Sequence, residues 1–232
     1  MPTRSLLVAA AALAAARLAP HAALAQQSLA LNIGHFGIRG TDARVDDDVL
    51  LENLNLFSFD PTELDSVTFG GEWQIALGDH LEAGVGVGFM RGTAPSTYTD
   101  YVNDDGTEIL QDFHLQMVPI TGTLRLFPLG DTAVRPYIGG GIGLFMWRYS
   151  EVGEFIDFYD YTVFRDRFVA SGADIGTGVL GGVRAPLGDS LAAGVEVQYQ
   201  RAAGRVGVDE GFLAERIDLG GLTTRFTFQI EF

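Results

Sequence analysis

Two sets of charged residues in this chain have the types and spacing for chemistry. Arg39, Arg91, Arg148 and Arg201 each fall at the end of a run of alternating apolar residues, in phase with the apolar positions. A planar guanidinium at the edge of a greasy surface suits bidentate contact with phosphate. The same residues could equally be long side chains that lay their stems on apolar surface and keep their heads in water. The second set, Glu72, Glu82, Arg125, Asp174, Arg184, Glu196 and Arg225, occupies the opposite phase of such runs. Both signs are present, so mutual neutralisation is expected: Glu82 with Arg125, Glu196 with Arg225, and Glu72 and Arg184 joining them. A path for solutes is the alternative use of such a set.

Other candidate chemistry is weaker. Past the first 25 residues the histidines are His35, His80 and His114. Of these, His114 stands two residues from Asp112, but no serine lies at a spacing that signals nucleophilic catalysis. Acids crowd Asp46-Asp47-Asp48, Asp104-Asp105 with Glu108, and Glu151, Glu154, Asp157 and Asp160. Asn103 to Glu108 lacks the ligand spacing of a calcium loop. These acids read as a solvated surface, with cation bridging as the alternative. No catalytic residue, metal or cofactor is assigned.

The elements that carry both sets are strands. Period-two alternation marks about Leu29–Ile38, Val67–Leu77, Leu81–Arg91, Phe113–Phe127, Arg135–Tyr149, Val169–Ala185, Leu191–Arg201 and Leu219–Phe232. Gly78-Asp79-His80, Pro128 to Val134 and Pro186 to Ser190 make three short turns, with Gly beside Asp as tight turns require. The other four junctions run to roughly 17–28 residues, long for a compact soluble domain. Short and long connections that strictly alternate are expected of a closed transmembrane barrel, with turns on one side and loops on the other. The faces agree, because Val85, Val87, Ile120, Leu124, Ile142 and Val179 alternate with the charged set. A water-soluble barrel would put the apolar face inside instead. The expectation is an all-β, closed, antiparallel up-and-down transmembrane barrel of eight strands with a polar lumen. Leu54, Leu56, Phe57 and Phe59 leave room for a further hairpin and ten strands. Phe155, Phe158, Tyr159, Tyr161 and Phe164 in the third loop suggest strands that continue above the membrane, or a partner site.

Composition supports export and disfavours nucleic acid. The formal charge is −15, from 15 basic and 30 acidic residues. Without Arg4 and Arg17 it becomes 13 − 30, or −17, the wrong sign for binding phosphodiester backbones. With no cysteine, disulfides and thiolate zinc sites are excluded. A basic start, an apolar run from Ser5 to Ala16 and Ala23-Leu24-Ala25 describe a signal peptide over residues 1–25, leaving 26–232 as the barrel domain.

Arg135-Pro136-Tyr137-Ile138-Gly139-Gly140-Gly141-Ile142-Gly143, together with the ending Phe226, Phe228, Ile230 and Phe232, resembles the small outer-membrane β-barrels of the OmpA-like, OmpX-like and OmpW-like kind. The resemblance implies a monomer in the outer membrane of a Gram-negative cell. It also implies that Phe226, Phe228, Ile230 and Phe232 serve as the signal read by the outer-membrane assembly machinery. Since the sequence ends on the barrel's last strand, no cell-wall-binding domain is expected after it. In that setting the arginine belt would grip lipopolysaccharide. The expected role is structural or surface-interacting, without catalysis. A narrow channel for small hydrophobic molecules, or a lipid A-modifying enzyme, is the alternative.

Overall fold

The computed structural model describes residues 26–207 and 211–232; the expected signal peptide lies outside them. The strands are β1 (Gln27–Ile38), β2 (Phe57–Ser58), β3 (Ser66–Ala76), β4 (Leu81–Val102), β5 (Glu108–Leu126), β6 (Arg135–Ile156), β7 (Val163–Pro186), β8 (Leu191–Arg201), β9 (Ala203–Arg205), β10 (Arg216–Asp218) and β11 (Gly221–Glu231). Eight of them close a ring in the order β1, β3, β4, β5, β6, β7, β8, β11, every pair antiparallel. The seam is made by β1 and β11, in register from Ser28 opposite Glu231 to Ile38 opposite Gly221. Closure satisfies the backbone polar groups that lipid could not. The fold is therefore an all-β, up-and-down transmembrane barrel of eight strands.

The apolar phase faces outward. Val85, Ile142, Ile175, Phe226 and Phe228 are 60%, 67%, 79%, 58% and 56% exposed, a cost in water that hydrocarbon removes. This band ends toward the loops at Phe89, Val118 and Met146, where the next outward residues are Arg91, Gln116 and Arg148. Inward, glycines make room for bulky neighbours. A β-carbon on Gly84 would overlap the Glu72 carboxylate, and one on Gly182 would lie 2.6 Å from the Tyr137 hydroxyl.

Two of the long connections are mostly strand. Strands β4 and β6 each have 22 residues and β7 has 24, about twice the 9–11 that cross a bilayer. The β6–β7 hairpin turns only at Asp157–Thr162, and Phe155 packs on Phe168 with ring centroids 4.8 Å apart. Strand extension is thus the observed state of the third loop. The first loop does not add a hairpin to the ring: it folds into the turns Thr41–Ala43 and Pro61–Leu64, the helix Val49–Asn53 and the short β2, which pairs with β4. Asp48 caps that helix by accepting from Leu50 N at 3.0 Å.

The interior has two halves. Toward the short turns it is charged. Toward the loops it is apolar, filled by Val49, Leu50 and Leu64 from the first loop, Phe113, Leu115 and Tyr149 from the wall, and Phe212, Ile217 and Leu219 from the last connection. The polar lumen expected from the sequence describes the half toward the short turns, and the half toward the loops departs from it. Upper inward residues such as Phe36, Met90, Phe145 and Trp147 are large and apolar because they meet folded loops rather than water.

Candidate functional site

Near the short-turn end, Arg125 crosses the barrel axis with a side chain 1% exposed. Its NH2 donates to Glu72 Oε2 at 2.7 Å and to Glu196 Oε2 at 3.0 Å, and its NH1 lies 3.6 Å from Glu82 Oε1. Arg184 donates to both oxygens of Glu82, at 2.6 and 3.0 Å. Arg225 reaches the second oxygen of Glu196 through Nε at 2.9 Å, and the Tyr137 hydroxyl donates to Glu196 at 3.0 Å. Three carboxylates meet three guanidinium groups, so the cluster is formally neutral. These six charged residues come from β3, β4, β5, β7, β8 and β11, and together they span the lumen. Cross-strand register alone pairs Glu82 with Arg125 and Arg225 with Glu196. The three-way hold on Arg125 arises across the lumen, which strand adjacency does not reveal. Asp174 is not part of the cluster: its carboxylate accepts from Trp147 Nε1 at 2.7 Å in the upper half.

Above the cluster lies a cavity of about 50 Å³, lined among others by Asn32, Thr68, Thr121, Gln198, Thr223 and Arg225. It has room for a few waters and no more. Phe36, Met90 and Met117 roof it.

The folded loops are locked by charges that read in the sequence as solvated. Arg44 donates to both oxygens of Asp48, at 2.7 and 3.1 Å, with both side chains fully buried. Arg39 donates to Asp218 at 2.8 Å, and Arg44 also donates to the Asp218 carbonyl at 3.0 Å. Glu151 is likewise buried, accepting from Asn53 Nδ2 at 2.7 Å and from the Tyr149 hydroxyl at 2.9 Å. Glu151 lies above the apolar band. Burial raises its pKa against the lowering effect of those two hydrogen bonds. An acid raised on folding stabilises most below its unfolded value and loses that contribution as pH rises through the folded value. Asn53 Oδ1, on the amide facing Glu151, has no hydrogen-bond partner among the described residues. Glu151→Gln supplies an uncharged donor there, so the variant is expected to slow hydrogen exchange across Val49–Asn53 at neutral pH. It should also abolish the loss of protection expected of the unaltered protein as pH rises from about 4.5. Unchanged exchange and pH dependence would refute this.

The four arginines expected on the outer border separate into two groups, and Arg39, paired with Asp218, has a side chain only 9% exposed. Arg39 and Arg201 flank Tyr199, their guanidinium carbons 5.3 and 5.7 Å from its ring centre. Arg91 and Arg148 lie on the opposite wall and border a recess with His114, Gln116, Ser150, Val152 and Arg167. Arg167 was not singled out in the sequence because it sits in a stretch read as loop. His114 Nδ1 is 2.9 Å from the Thr93 hydroxyl, so its hydrogen-bond partner is not a carboxylate. Partial burial lowers the His114 pKa; Asp112 acts to raise it, and Arg91 and Arg167 to lower it.

No family model matches the sequence, and no curated protein matches it. Among solved structures, Neisserial surface protein A is 13% identical, covering 89% of this chain and 97% of its own, with a TM-score of 0.47. OprG from Pseudomonas aeruginosa is 13% identical over 90% and 96%, with a TM-score of 0.49. The outer-membrane protease OmpT from Escherichia coli is 8% identical over 90% and 97%, with a TM-score of 0.40. Scores below 0.5 at such identities carry no argument about activity, and the assignment rests on the ring of strands and its two faces. On that geometry, the chain is a small, closed, eight-stranded β-barrel of the outer-membrane type.

Proposed function

We propose that the chain is a monomeric integral outer-membrane barrel with a structural or surface-interacting role, a sealed lumen and no catalysis. Its short turns face the periplasm and its folded loops face outward. The observation that carries this reading is Arg125, held across the lumen by Glu72, Glu82 and Glu196 beneath an apolar cap. Eight strands enclose only enough width for side chains to fill, and here they do so at two levels. Ring closure within one chain also leaves no open edge in the apolar band that a second copy must cover.

Purified protein in planar bilayers is expected to give no discrete current steps at neutral pH. Stable single-channel conductance would overturn the sealed-lumen reading. The apolar upper interior favours one second reading, a narrow passage for small hydrophobic molecules. That passage would require Leu50, Phe113 and Tyr149, each fully buried, to move aside. Uptake of a hydrophobic dye into proteoliposomes faster than into protein-free ones would support it over the sealed barrel.

A further inference from the structure

We propose that Arg91, Arg148 and Arg167 form a binding site for the phosphate of a membrane-anchored anionic headgroup. Across three adjacent strands Arg91 stands opposite Gln116, and Gln116 opposite Arg148. Four residues nearer the loops along β6, Val152 stands opposite Arg167. With His114 and Ser150 they border an open recess of about 410 Å³. Arg39, Arg44 and Arg165, also toward this end, pair with Asp218, Asp48 and Glu154; Arg205 and Arg216 share their recess with Asp174 and Glu215, and Arg201 stands over Tyr199. Among the described residues, no carboxylate oxygen lies within 4.0 Å of the guanidinium groups of Arg91, Arg148 or Arg167. The three positive charges are not cross-strand partners of one another, so they add their potentials over the recess, and an anion from outside the chain is attracted by all three. Asp112, the next outward residue past His114, stands opposite Val152 and does not line the recess.

The position selects the ligand. Phe89, Val118 and Met146 are the outward residues just below, so a phosphate in the recess would continue into hydrocarbon along the exposed wall. Guanidinium forks match phosphate oxygens in charge and plane, and Gln116, His114 and Ser150 offer further polar contacts. A free phosphate would gain the charge but not the apolar contact. The proposal rests on the membrane-spanning reading of the band, which is tested separately below by a charge placed within it.

The test is native mass spectrometry of the whole barrel released from micelles containing diphosphoryl lipid A, phosphatidylcholine or no added lipid, with and without inorganic phosphate. The unaltered protein should retain diphosphoryl lipid A and not phosphatidylcholine. The combined Arg91→Gln, Arg148→Gln and Arg167→Gln variant should bind it at least roughly tenfold more weakly. Arg165→Gln with Arg205→Gln, two exposed arginines outside the recess, should bind as the unaltered protein does. Heat-modifiable gel migration confirms that each variant is folded. Equal retention of lipid A by the folded triple variant would overturn the site. Full displacement by millimolar inorganic phosphate would overturn its assignment to a membrane-anchored headgroup.

Discussion

Arg125→Leu should lower the urea midpoint of the barrel in lipid vesicles sharply, by the equivalent of about 3–5 kcal/mol, the usual cost of breaking a buried ion cluster by removing one partner. The substitution removes one positive charge from a neutral set of three acids and three arginines, leaving Glu72, Glu82 and Glu196 with only Arg184 and Arg225. All three acids are buried, so water cannot take over the lost contacts without entering the lumen. A companion variant separates charge from packing. Arg125→Leu combined with Glu72→Gln restores the balance and should recover most of the loss. Fluorescence of Trp73 on the outer face and Trp147 inside follows unfolding from both sides of the wall. A midpoint unchanged by Arg125→Leu would mean that the cluster does not hold the barrel in solution.

The second large effect concerns the outer wall. Ile142 lies on β6, 67% exposed and flanked across the strands by Gly122 and Thr177, with Ile138 and Leu144 on its own face. A guanidinium placed there would sit in hydrocarbon if the band spans a membrane. Ile142→Arg should then destabilise the protein by about 2–4 kcal/mol in vesicles, the range for Arg near a bilayer midplane. A water-solvated barrel would lose almost nothing, since its exposed isoleucine would become an exposed arginine. Equal urea midpoints for Ile142→Arg and the unaltered protein would count against membrane insertion. The arginine recess would then have no lipid to bind. Loss of lipid A retention in the recess variant alone leaves the band intact, so the two proposals fail separately.

The alternation of side chains is a local property of a strand, and it was legible. Phe226, Phe228 and Ile230 face outward, with Thr227 and Gln229 inward, because successive residues of any strand point to opposite sides. The same rule located all eight ring strands and separated the outward arginines from the inward charges. Strand ends were less legible. Above Arg91 and Arg148 both faces meet polar or folded surroundings, so the contrast between faces that marks a strand in sequence fades, although β4 and β6 continue to Val102 and Ile156.

The sequence by itself determined the barrel, the inward set of charges and the apolar wall, because each depends on neighbours along one strand. Only the tertiary structure decided what those charges meet. Arg125 joins acids on β3, β4 and β8, Asp48 and Asp218 are buried by a first loop that folds over the barrel mouth, and Glu151 faces Asn53 nearly a hundred residues away. Asp174 stayed outside the charge cluster because its height along the lumen, not its phase, set its partner. Arg91, Arg148 and Arg167 share one recess for a related reason: strand tilt and register set which residues of different strands stand at one level, and neither is written in the sequence of a single strand.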